Sequence, residues 1–134
     1  MPRNDTLGEF EQSVLLAIVH LKDDAYGVTV RREIEARTDR SVAVGALYTA
    51  LERLERKGYV RSAASAPTPQ RGGRSKRHFA LTPAGAAALE RSRDAMQRMW
   101  AGLRPGAIAA HAGLHTVVAP ARVDGTTRRR RGPS

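Results

Sequence analysis

The sequence contains no cysteine among its 134 residues, which excludes disulfides, thiolate metal sites and cysteine nucleophiles. It has only two phenylalanines, three tyrosines and one tryptophan, so a core built from it is largely aliphatic. Its longest apolar run, Val14 to Val19, is far too short to cross a bilayer. The opening MPRNDTLGEFEQ carries acids and no apolar stretch, which predicts no signal peptide. A cytoplasmic protein with no membrane partner is expected. No nucleophile–base pair or paired catalytic carboxylates can be placed in a cleft. Gly72-Gly73 lacks the lysine and the strand-to-helix context of a phosphate-binding loop. His111 and His115 have a metal-ligand spacing without a third ligand. Neither an enzyme nor a metal or cofactor site is expected.

What is abundant is positive charge. The chain carries 23 Lys and Arg against 13 Asp and Glu, a formal net charge of +10, which points to a polyanionic partner. The strongest local excess lies between Arg40 and Arg77. Nine basic residues there face only Glu52 and Glu55. A second excess fills residues 104–134, rich in Ala, Gly and Pro. Ile108 to Val118 could form a weak helix, but the tail from 105 to the closing TTRRRRGPS is expected to be disordered.

Hydrophobic periodicity gives an order α-α-α-β-β-α in a mainly helical chain. Phe10, Val14, Leu15, Ala17, Ile18 and Leu21 define a first helix, about Glu9 to Leu21. Tyr26, Val30, Ile34 and Val28 outline a second, about Tyr26 to Arg37. The third has an apolar face of Val44, Leu47, Tyr48, Leu51 and Leu54, with Ser41 as candidate N-cap and Gly58 at the left-handed position past its end. Tyr59 to about Ser62 and Lys76 to Leu81 are strands flanking a Pro/Gly-rich loop, 65–75. Thr82-Pro83 then starts a fourth helix running to about Leu103. On it Leu89, Met96 and Leu103 are seven apart, with Met99 between, a spacing that offers a seam to another helix. The expected organisation is a winged helix-turn-helix domain over 1–81, a C-terminal helix over 82–104 and a basic tail over 105–134.

In such a domain the third helix enters the major groove of DNA. Its outward residues near the N-terminus are Ser41, Ala43, Gly45, Ala46 and Thr49. They are small enough for close approach, and none is a long bidentate base reader. Tyr48 lies inward, with a hydroxyl able to reach a phosphate. Arg53 stands near the helix's far end, where it either meets a phosphate or pairs with Glu52 or Glu55. Arg71, Arg74, Lys76 and Arg77 sit in and beside a loop that gains nothing structural from four positive charges, so phosphate contact explains them better.

SVAVGALYTALERLERKGYV, GGRSKRHFALTPAG and the upstream YGVTVRREIEART together resemble the PadR family of bacterial transcriptional regulators, over about residues 9 to 103. One departure is Thr49, where many members have proline. The resemblance implies a homodimer held by the last helix, which binds palindromic operator DNA and usually represses transcription. In this chain that interface would use Leu89, Met96, Met99, Trp100 and Leu103. In some relatives a tryptophan on a short C-terminal helix lines a flat pore between subunits. By that likeness Trp100, beside Met96, would take a small planar aromatic effector, or would be an interface anchor. The alternatives are a winged-helix module for protein contact or nonspecific nucleic-acid binding, and the broader MarR-like regulators.

Overall fold

A computed structural model describes residues 6–64 and 76–114. Helix α1 (Glu9–Leu21) starts where the Glu11 carboxylate accepts the backbone N–H of Gly8 at 3.2 Å. It buries Val14, Leu15, Ala17 and Ile18 and leaves Leu16 and Val19 half-exposed. A 3-10 turn (Lys22–Asp24) leads to α2 (Gly27–Thr38), whose Val30 and Ile34 face the core while Val28 points to solvent. Tyr26, read from the sequence as part of the helical face, stands just outside it as the N-cap. There its N–H donates to the Thr29 hydroxyl at 3.0 Å.

Helix α3 (Val44–Arg56) buries Leu47, Ala50, Leu51 and Leu54. Its end is a Schellman motif: Tyr59 N–H donates to Leu54 O at 2.9 Å and Gly58 N–H to Glu55 O at 3.0 Å. This geometry needs the positive φ of 82° that Gly58 supplies. The chain then turns into β1 (Val60–Ala64), paired antiparallel with β2 (Arg77–Leu81) in the register Val60 to Leu81 and Ser62 to Phe79. The pair is mostly amphipathic, and Val60 and Phe79 are its buried members.

Thr82 ends the wing and begins α4 (Pro83–Trp100) with one hydroxyl. That hydroxyl donates to Gly58 O at 2.6 Å and accepts the N–H of Gly85 at 3.0 Å. A Cβ on Gly85 would lie 2.2 Å from the Tyr59 carbonyl oxygen, so the α4 start approaches the wing as closely as only glycine permits. Ala88 is buried, and Leu89 packs against the same core.

The chain divides into two units, Met1–Met96 and Gln97–Ser134. The second contains the last turn of α4 and a short helix, α5 (Ala107–Leu114), inside the segment expected to lack structure. The sequence offered only a weak helix there, over Ile108 to Val118, because its alanines favour helix without forming an apolar stripe. The arginine run 128–131 and His115 lie outside the described residues.

Candidate nucleic-acid interface

Where α3 begins is decided at Val42. Glu35 accepts the Val42 N–H at 2.8 Å, and Arg31 Nε donates to the Val42 carbonyl at 2.7 Å. With its side chain buried as well, Val42 pins the turn between α2 and α3 from three directions. The turn leaves α2 through Asp39, which adopts the left-handed conformation at φ 58° and ψ 34°. Ser41 is therefore not the N-cap. The cap is Ala43, with no side-chain hydrogen bond, because the buried Val42 carries the chain two residues further before it can coil.

The outward residues of that start are those expected. Ser41, Ala43, Gly45, Ala46 and Thr49 are all exposed. Val44 and Tyr48 depart from the expectation, since both are about half-exposed rather than inward. Tyr48 lies across the start of α2, where a Cβ on Gly27 would sit 1.9 Å from its Oη and 2.7 Å from its ring carbon Cζ. Its ring is packed against backbone on one side and open to solvent on the other.

Tyr26, next to Gly27, anchors the wing. Its ring meets His78 edge-on at 5.4 Å between centroids, and the Lys76 ammonium stands 4.2 Å over it. Its backbone bridges to His78, and Phe79 N–H donates to Ala25 O at 2.8 Å. The wing also reaches α3: Arg77 donates to the Ser62 hydroxyl at 2.6 Å, which in turn donates to Glu55 at 2.8 Å. Adjacent residues 26 and 27 thus position the wing and seat Tyr48. The sequence pattern showed Tyr-Gly, but nothing in its periodicity showed what either touches.

The far end of α3 differs from the expectation. Arg53 pairs with neither Glu52 nor Glu55. Glu11 of α1, its side chain 10% exposed, takes Lys57 at 3.2 Å and Arg53 at 3.7 Å. The sequence separation of 46 residues between Glu11 and Lys57 hid this pairing. Arg56 and Arg61 are exposed and make no ion pair among the described residues. Arg71 and Arg74 lie outside the described residues.

On α4 and the turn after it, Met96, Met99, Trp100 and Leu103 are all half-exposed or more. Leu89 is not among them, being packed against its own core. Trp100 and Leu103, with Pro105 and Ile108, line a pocket of about 310 Å³. No helix is long and apolar enough to cross a membrane, and no group of three metal-ligating side chains occurs, both among the described residues.

Residues 15–91 match the sequence profile of the transcriptional regulator PadR-like family. No curated protein matches the sequence. Among solved structures, a PadR family transcription regulator from Clostridium difficile is 26% identical with a TM-score of 0.52, covering 67% of this chain and 90% of that one. A PadR-like transcription factor from Bacteroides fragilis is 20% identical with a TM-score of 0.58, over 67% and 82%. BpsR of Bordetella bronchiseptica, whose DNA binding is regulated by 6-hydroxynicotinic acid, is 21% identical with a TM-score of 0.52, over 84% and 80%.

Proposed function

The chain belongs to the PadR-like family of DNA-binding transcriptional regulators, and from that premise we propose that it is a cytoplasmic repressor acting as a homodimer on palindromic operators. The observation that carries the reading is the exposed start of α3, where Ala43, Gly45, Ala46 and Thr49 present only small side chains. Such a surface lets the helix backbone approach base edges and thymine methyl groups in the major groove. Ser41 and the Tyr48 hydroxyl flank it and take phosphates. Lys76 and Arg77 at the wing base, with Arg71 and Arg74 of the intervening sequence, contact phosphates and supply most of the affinity. Arg53 contributes less, because Glu11 already neutralises it.

With few long side chains to read bases, selectivity rests on groove shape and on the spacing of two half-sites about 34–36 Å apart. The second copy joins through Met96, Met99, Trp100 and Leu103. A small planar aromatic effector stacks on Trp100 beside Met96. The pocket at Trp100 supports this, as does the regulation of BpsR by an aromatic acid.

The test is binding to the protein's own upstream region with excess competitor DNA, at several salt concentrations. A palindromic footprint that survives the competitor is expected, with in vivo loss of the protein raising transcription from that promoter. Binding that disappears equally from all sequences as salt rises would leave a basic protein without an operator.

A further inference from the structure

Phe10 of α1, Ile34 of α2 and Val42 of the turn form the apolar floor of a cleft of about 320 Å³. That is within the size range of small-ligand sites, roughly 300–1,000 Å³. Its walls are polar. Ser13 and Ser41 are among its lining residues, and neither side chain makes a hydrogen bond among the described residues. At its rim Arg40 Nη2 stands 3.6 Å from a carboxylate oxygen of Glu9, both side chains being well exposed to solvent. An exposed pair of this kind is held weakly, so an incoming carboxylate can take over the guanidinium at little cost.

We propose that this cleft is a second effector site, distinct from Trp100, for a small monocarboxylate with a compact apolar body. The carboxylate replaces Glu9 on Arg40 and accepts hydrogen bonds from the two serine hydroxyls. The apolar body lies on Phe10, Ile34 and Val42. The site reports to DNA through the turn it touches. Val42 is both part of its floor and the residue whose backbone Arg31 and Glu35 hold two positions ahead of α3. Occupancy also adds a negative charge beside Ser41, so it weakens phosphate contact there. This direction rests on the DNA-binding geometry proposed above; the site itself does not.

The experiment is a titration of the isotope-labelled full chain with sodium cyclohexanecarboxylate, with cyclohexanemethanol as the uncharged control, followed by amide NMR shifts. Saturable shifts at Ser13, Ser41 and Val42 are expected, with the alcohol binding at least tenfold more weakly. Arg40→Gln brings the carboxylate down to the alcohol's affinity, and Ser13→Leu, which fills the cleft, removes binding of both. Shifts centred on Trp100 and Ile108, no saturation, or full affinity in Arg40→Gln would overturn the site. A parallel DNA titration tests the coupling, with an expected loss of about tenfold in operator affinity at saturation, within the usual 5–150-fold range of allosteric effects. An occupied site with unchanged operator affinity overturns the coupling alone. A chain that binds the carboxylate but no operator overturns the operator reading and not the site.

Discussion

Gly27 lacks a side chain because Tyr48 occupies the space that one would need. The tyrosine is held at the α2 start by that vacancy, and its ring leans on the backbone instead of entering the core. Gly27→Ala forces the ring outward or the helices apart. A loss of about 1–3 kcal/mol in stability is expected, the range for overfilling a packed contact. Urea denaturation measures it. Pairing the change with Tyr48→Ala removes the clash, so the double variant should be more stable than the sum of the single losses predicts. Simple additivity would mean that the ring does not press on Gly27. The two residues were legible in the sequence as a motif and as part of an apolar face. Their contact was not, because Tyr48 at a core-spaced position of α3 gives no sign that it meets α2 rather than the interior.

At the scale of elements, α1 and α3 are joined by one carboxylate serving two cations. Glu11 caps its own helix by accepting the Gly8 N–H and reaches Lys57 and Arg53 on α3. It holds α3 in place while removing positive charge from the helix's far end, so stability and DNA affinity should respond to it in opposite directions. Glu11→Gln keeps the cap and loses the ion pairs. The expected loss is about 1 kcal/mol, since charged hydrogen bonds here are partly solvated. That lowers the melting temperature by roughly 4–8 °C for a domain of this size. Released Arg53 and Lys57 then bind phosphate, steepening the salt dependence of nonspecific DNA binding by about one to two in log–log slope. A variant that melts earlier but binds DNA with an unchanged slope would show that the two cations never reach the backbone. The helices and wing strands were readable because their periodicity, glycine stop and Thr-Pro start are local. The Glu11 pairs and the Val42 clamp were not, because they join residues distant in sequence through backbone atoms or long side chains. The start of α3 was misplaced for the same reason: Ser41 has the chemistry of a cap, but burial of Val42 decides where the helix begins.

For the whole molecule the decisive quantity is how many phosphates are engaged at once. A net charge of +10 gives any basic chain some affinity for DNA, but a dimer doubles the contacts made in one event. Met96 and Trp100 are exposed large apolar side chains one helical turn apart, the kind of surface a second copy covers. Substituting both, Met96→Glu with Trp100→Glu, places like charges on the proposed dimer surface and should yield a monomer by sedimentation. Each winged-helix unit keeps its own contacts, so binding to a single half-site is expected to survive. On the full palindrome the log–log salt slope should fall to about half, because half as many counterions are released per event. Affinity for the palindrome should fall by a factor on the order of 10² to 10⁴, the gain that linking two binding units confers. A double variant that still sediments as a dimer would move the interface elsewhere. One that becomes monomeric yet keeps the full slope would mean that a single chain makes all the contacts, and operator symmetry would then play no part in recognition.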